Sequence, residues 1–132
     1  MDRIESVQRK FVRYALRNLP WNDPQNLPSY EDRCRLLGMK TLEQRRSVSQ
    51  AVFMAKLITA EFDAPDLLSE IGFYAPSRVL RSRSMLQVEF QSTQYAVHSP
   101  ISSMIRQFNR YSDQFGFNEA PILYRRRIES NM

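Results

Sequence analysis

The residues that could carry out chemistry in this chain are few and far apart. Cys34 is the one cysteine and His98 the one histidine among 132 residues. As a pair they could serve as nucleophile and general base, but a buried structural thiol and an exposed histidine are the more ordinary roles of such isolated residues. One residue of each type is also too few for a zinc site, which takes about four ligands. The sequence therefore predicts no metal site.

The acidic residues and the glycines offer no better active site. The chain has no adjacent pair of aspartates of the kind that two-metal phosphoryl transfer would use. Asp63 and Asp66 could be metal ligands, but a helix cap and a favourable partner of the helix dipole explain them more simply. Gly38, Gly72 and Gly116 are too widely separated to build a glycine-rich phosphate loop. We expect no catalytic residue and no cofactor.

Basic residues are the functional candidates that remain. The formal net charge is +5, and arginine supplies most of the positive charge. Because the planar guanidinium group suits phosphates and bases, this bias favours nucleic acid as a partner. The predicted phosphate contacts are Lys10, Arg13, Arg17, Arg45, Arg46, Arg78, Arg81 and Arg83.

Aromatic residues near these cations in the sequence could stack on nucleic-acid bases. They are Tyr14, Trp21, Phe73 and Tyr74. An ordinary alternative stays open, because basic stripes are often solvated helix faces and aromatic residues usually belong to a core. Composition alone favours that alternative slightly.

Composition and patterning predict an all-α fold. Three glycines are few for the tight turns of a sheet protein, and the chain is equally poor in threonine. We expect one small domain, with a helical cluster over residues 1–72 and an extended or irregular basic arm over 73–98. An amphipathic C-terminal helix is expected over 99–116, followed by a tail over 117–132.

The first helix is predicted by apolar residues at helical spacing and ends at Leu19-Pro20, because a residue before proline disfavours helical geometry. Lys10, Arg13 and Arg17 share a second face of this helix. The apolar positions are Ile4, Val7, Phe11, Tyr14 and Ala15.

Cap signals predict where the other helices begin. Ser29 and Thr41 each start a capping box, Asp63 is expected to cap another short helix, and Ser99 precedes a proline at a first helical position. The longest helix is predicted from Leu42 to about Phe62. Its expected inward residues are Val48, Val52, Ala55 and Ile58, and the run from Ala51 to Ala55 is apolar enough for burial on more than one side.

Nothing in the sequence predicts export or a membrane span. The charged N-terminus lacks the apolar core of a signal peptide, and no window reaches the roughly 18 apolar residues of a spanning helix. A single cysteine fits a reducing compartment. We expect a soluble intracellular protein without a membrane partner.

Three short runs resemble a known family. Residues 4–11 resemble the "IESVQRRF" helix that follows the polymerase core of non-LTR (LINE-type) retrotransposon reverse transcriptases. Residues 28–38 resemble their "YEDRLRLLGL" segment, and residues 41–46 the "TLExRR" start of the next long helix. The runs Tyr74–Arg78, Pro100-Ile101 and Phe108-Asn109 are similar to the downstream pattern of jockey-like insect elements, so the resemblance spans almost the whole chain in order.

The resemblance implies a position C-terminal to the palm and thumb of an RNA-directed DNA polymerase. In that family the catalytic aspartates lie upstream, and this chain has no Tyr-x-Asp-Asp motif, so no enzyme activity is expected of it. The family often has glycine where Thr59 or Ala60 stands, and again where Ala96 follows Tyr95. These departures concern local turn geometry. The C-terminal zinc knuckle of other lineages cannot form here.

Three functional interpretations follow. In the first, the basic residues help to hold template RNA or nascent duplex beside the polymerase core. In the second, the chain is an interaction module whose Val7, Phe11, Leu42 and Ala51–Ala55 dock on the polymerase thumb. In the third, it is a piece of a decayed element with no selected function.

Overall fold

The chain is all-α, as its composition predicts. The structure is a computed structural model, and within its described residues helices dominate and no strand occurs. The chain divides into two compact units, residues 1–46 (unit 1) and residues 47–132 (unit 2). The described residues are 2–17, 28–75, 84–88, 92–93 and 99–131.

Six α-helices occur in these ranges. The first three are α1 (Asp2–Ala15), α2 (Tyr30–Leu36) and α3 (Leu42–Ile58). They are followed by α4 (Pro65–Ser69), α5 (Pro100–Arg110) and α6 (Pro121–Ser130), with a 3-10 turn over Ser112–Gln114 between the last two.

Three of the predicted helix starts are confirmed in atomic detail. The Ser29 hydroxyl accepts a hydrogen bond from the backbone N–H of Asp32 (3.1 Å). Thr41 and Gln44 form a reciprocal capping box, in which each backbone N–H donates to the other side chain at 3.0 and 3.2 Å. Ser99 caps α5 in the same way as Ser29 caps α2. These groups satisfy backbone donors that the first turn of a helix leaves unpaired.

The turns after α2 and α3 share one geometry. Gly38 has φ +62 and Ala60 has φ +56, both in the left-handed region. The residue after each donates its N–H to the helix carbonyl five positions earlier, at 2.8 and 2.9 Å, which is the Schellman motif. Because of this turn α3 ends at Ile58, four residues before the predicted end at Phe62.

The core of unit 2 is built on α3, α5 and α6. The predicted inward positions Val48, Val52 and Ala55 are buried, and the apolar run from Ala51 to Ala55 is largely buried as well. The Phe108 and Tyr124 rings contact each other in a tilted arrangement with a centroid distance of 5.9 Å, and Phe115 meets both rings edge-to-face. The buried core residues are Val48, Ala51, Val52, Met54, Ala55, Leu57, Ile71, Leu86, Ile105, Phe108, Tyr124 and Ile128.

Two residues of the predicted arm pair with each other. Phe73 and Leu86 form an isolated antiparallel bridge. The side-chain amide of Asn109 in α5 accepts from the Leu86 N–H (3.0 Å) and donates to the Leu86 carbonyl (2.8 Å). A side chain thus supplies the pairing that a neighbouring strand would otherwise give.

Helix α1 ends at Ala15, before the predicted end at Leu19. Three further predicted boundaries are wrong. Residues 121–130 of the predicted tail form α6, whose Tyr124 and Ile128, one turn apart, are buried in the core. The C-terminal helix α5 ends at Arg110, before the 3-10 turn, and not at residue 116. Asp63 does not cap α4, because Ala64 occupies the cap position without a side-chain hydrogen bond and Pro65 opens the helix.

None of the helices in the described part of the chain is both long enough and apolar enough to cross a bilayer.

Candidate nucleic-acid interface

Helix α1 carries or leads directly into three of the eight predicted phosphate contacts. Lys10 and Arg13 lie on the helix and are exposed. Arg17 follows two residues after its last turn and is also exposed. Because positions three and four apart share a helix face, these cations lie along one side of α1, and Arg3 extends the row toward the N-terminus.

The buried side of α1 is polar. Glu5 and Gln8 are buried together with Val12, at positions three and four apart. A buried carboxylate is costly unless it is paired and hydrogen-bonded. Both requirements are met here, because Glu5 accepts a hydrogen bond from the Tyr30 hydroxyl (2.7 Å) and forms an ion pair with Arg46 (3.2 Å).

Gln8 joins three other segments of unit 1. Its side-chain amide donates to the backbone carbonyl of Lys40 (3.0 Å) and lies 3.6 Å from the Cys34 sulfur. Its side-chain carbonyl accepts from a guanidinium nitrogen of Arg45 at 2.8 Å. The amide therefore satisfies polar groups on both sides, and it fixes how α1 packs against α2 and the start of α3.

Tyr30 contacts α1 from the first turn of α2. The Arg9 guanidinium lies 5.2 Å from the centre of its ring, within cation–π range. Burial, together with the hydrogen bond to the Glu5 carboxylate, raises the pKa of the Tyr30 hydroxyl far above its ordinary value. The hydroxyl therefore stays protonated and remains a donor to Glu5.

Arg45 and Arg46 have structural partners within unit 1. Arg46 bonds to Glu5 and to the Leu42 carbonyl (3.2 Å for each contact), and Arg45 bonds to Gln8. A phosphate at either guanidinium would compete with these bonds. Sequence reasoning missed this role because the partners lie 37 and 41 positions away in the chain.

The apolar residues of α1 lie mainly in solvent. Ile4, Val7, Phe11 and Tyr14 are 64%, 67%, 55% and 74% exposed. Their spacing predicted the helix correctly, but an apolar row of this kind usually faces a core. In this chain the buried face of the helix is formed instead by Glu5, Gln8 and Val12. The one available signal was the narrowness of the row, which has only one residue per turn.

The remaining candidates are scattered. Phe73 and Tyr74 are exposed in unit 2, where they could still stack on bases. Cys34 is a buried free thiol, which agrees with its expected structural role. Arg78, Arg81, Arg83, Trp21 and His98 lie outside the described residues.

Groups that could hold a metal are missing from the described ranges. No three His, Cys, Asp or Glu side chains come together there. Asp66 lies in the first turn of α4, beside an N-terminus whose partial positive charge favours a carboxylate. The largest group of polar side-chain contacts described above is therefore the one around Glu5 and Gln8, which holds α1 in unit 1.

Comparison with known proteins does not assign a family. No family model, curated protein or solved structure matches this chain. Function is therefore inferred from the residues and their contacts, together with the resemblance of the short motifs.

Proposed function

We propose that α1 binds the phosphate backbone of a nucleic acid through Lys10, Arg13 and Arg17. The supporting observation is that α1 packs against unit 1 with one face and exposes its cations on another. Glu5 and Gln8 hold one side of the helix by four hydrogen bonds and ion pairs to Tyr30, Arg46, Lys40 and Arg45, while Lys10 and Arg13 extend into solvent on another. Cations on a rigid helix suit phosphates because little backbone freedom is left to lose on binding.

Arg45 and Arg46 act as positioning residues in this proposal. They hold the buried carboxylate and amide of α1, and so keep the cationic row turned outward. The arginines at positions 78, 81 and 83 stay predicted phosphate contacts and lie outside the described residues. Contacts of this kind set affinity and register and carry little sequence information.

The biological setting that we propose follows from the motif resemblance. The chain would be a non-catalytic region beside the polymerase core of a retrotransposon reverse transcriptase, inside the cell, where it would help to hold template RNA or nascent duplex. It would contribute binding and no chemistry, because in the family that the motifs resemble the catalytic aspartates lie upstream of this region.

Fluorescence anisotropy of labelled single-stranded RNA and duplex DNA across a salt series tests this proposal. Binding should weaken steeply with salt, because phosphate contacts release counterions. Replacing Lys10, Arg13 and Arg17 by alanine should weaken it further. Absence of binding at low salt would contradict the proposal.

A protein-docking role is the second candidate, and the exposure of the apolar row on α1 favours it. Exposed apolar residues in a continuous row often mark an interaction site. The run Ala51–Ala55, also expected to dock, is largely buried in the core of unit 2. The exposed residues of the expected docking surface are therefore Val7 and Phe11 of α1, and Leu42 is half-buried. A piece of a decayed element would bind neither a protein nor a nucleic acid specifically.

A further inference from the structure

The exposed row on α1 has the spacing of a coiled-coil seam. Ile4, Val7, Phe11 and Tyr14 are separated by three, four and three positions, which is the pattern of alternating a and d positions in a heptad repeat. Each of the four is more than half exposed. The described part of unit 1 therefore leaves the whole seam open.

A line of cations borders one edge of this seam. Arg3, Lys10 and Arg17 follow one another at intervals of seven. When Ile4 is an a position, all three are g positions, which lie beside the seam and select its partner by charge. Arg3 and Lys10 lie on α1 itself, and Arg17 in the turn that follows.

The opposite edge of the seam carries no charged side chain of α1 itself. Its e positions are Gln8 and Ala15, and the Gln8 side chain is already bonded to Lys40 and Arg45 of the same unit. The exposed Arg45 guanidinium lies 2.8 Å from the Gln8 side chain, so the charge that a partner meets is positive on both edges.

We propose that α1 pairs with an amphipathic helix of another protein, whose apolar seam is bordered by glutamate or aspartate. This inference rests on the docking candidate above; it shares Lys10 and Arg17 with the nucleic-acid proposal, and its peptide test is separate from the RNA test. An acidic border would lie against Arg3 and Lys10 and make the interhelical ion pairs that set partner choice in coiled coils.

A second copy of this chain fits the seam less well. Antiparallel pairing of two α1 helices sets g positions against g positions, so the rows of Arg3 and Lys10 would repel each other. Parallel pairing sets the cations against Gln8 and Ala15, which offer no negative charge. Charge complementarity therefore selects an acidic partner.

The test uses the full chain and two synthetic three-heptad helical peptides with the same leucine seam. One peptide carries glutamate at its e and g positions, and the other carries glutamine. Isothermal titration calorimetry should give at least about tenfold tighter binding for the glutamate peptide at low salt. Arg3→Gln with Lys10→Gln should remove most of that preference.

Matched variants distinguish binding by the seam residues from unspecific binding by any exposed apolar residue. Val7→Ser with Phe11→Ser should abolish peptide binding, whereas Ile122→Ser with Leu123→Ser, two exposed apolar residues of α6, should leave it unchanged. Circular dichroism checks that both variants remain folded. Since the seam residues are exposed, their loss is expected to leave the helix content intact.

Three outcomes would overturn the inference. Equal affinity for the two peptides would mean unselective apolar contact. Self-association of the chain in sedimentation, lost in the Val7/Phe11 variant, would assign the seam to a second copy. No peptide binding together with normal RNA binding would reject this inference alone, whereas peptide binding without RNA binding would reject only the nucleic-acid proposal.

Discussion

Glu5 and Arg46 form an ion pair across unit 1, with a distance of 3.2 Å between the carboxylate oxygen and the guanidinium nitrogen. The Glu5 side chain is 11% exposed and that of Arg46 38%. Of the two charged groups, only the Glu5 carboxylate is therefore well shielded from water. Breaking such a pair usually costs more than an exposed pair contributes, because one charge stays behind in a poorly solvated place.

Replacing Glu5 by glutamine should lower the free energy of unfolding by about 1–3 kcal/mol. The amide can still accept a hydrogen bond from Tyr30, but Arg46 loses its counter-charge. Glu43→Gln is the matched control, because Glu43 is exposed in the first turn of α3, and it should change stability by less than about 0.5 kcal/mol. Urea denaturation measures both. Equal effects of the two substitutions would contradict the role assigned to Glu5.

Two tyrosines should respond in opposite ways to loss of the hydroxyl group. Tyr30→Phe removes the hydrogen bond to Glu5 and should destabilise by about 1–3 kcal/mol. Tyr124→Phe removes a buried hydroxyl that has no hydrogen-bond partner among the described residues. It should be neutral or stabilising by up to about 1 kcal/mol. A Tyr124→Phe protein less stable than Tyr30→Phe would refute this assignment.

The free energy of unfolding should fall as the pH rises above about 10, because the tyrosines of an unfolded chain ionise there. Burial raises the pKa of Tyr124, and burial with the bond to Glu5 raises the pKa of Tyr30. Their contribution is complete below the unfolded-state pKa and is lost as the pH rises through the folded-state pKa. Urea midpoints recorded from neutral to alkaline pH should show this decline, and the Tyr30→Phe/Tyr124→Phe double variant should flatten it. An unchanged decline in that variant would assign the effect to other groups.

Ala60→Gly should stabilise the protein by about 1 kcal/mol, because Ala60 has φ +56 and an L-residue is strained there. Gly38→Ala is the reciprocal change and should destabilise by a similar amount. A methyl group at Gly38 would meet no atom within 4 Å, so its cost comes from the backbone alone. Thermal or urea unfolding should give opposite signs for the two variants. The same sign for both would contradict the shared turn geometry.

The features that the sequence predicted best depend on near neighbours along the chain. Ser29, Thr41 and Ser99 were identified as caps because their partners are three residues away. The Schellman turn at Gly38 has the same local character. Ala60 adopts the same left-handed turn without being a glycine.

The features that were missed depend on distant partners. Nothing near Glu5 in the sequence indicates that Tyr30 and Arg46 bury it, since these partners are 25 and 41 positions away. The same distance hid the structural use of Arg45. Residues 121–130 were expected to be a tail because Arg125–Arg127 dominate the segment, whereas Tyr124 and Ile128 bury a narrow face of α6.

The central claim is that the cationic row of α1, and not net charge alone, binds nucleic acid. The direct measurement is the slope of log affinity against log salt for labelled single-stranded RNA, compared between two triple alanine variants. One variant replaces Lys10, Arg13 and Arg17, and the other replaces Arg110, Arg125 and Arg126, so that each removes three positive charges. We expect the first variant to lose about 2 units of slope, while the second variant keeps the wild-type slope. Equal losses in both variants, or no loss in the first, would contradict it.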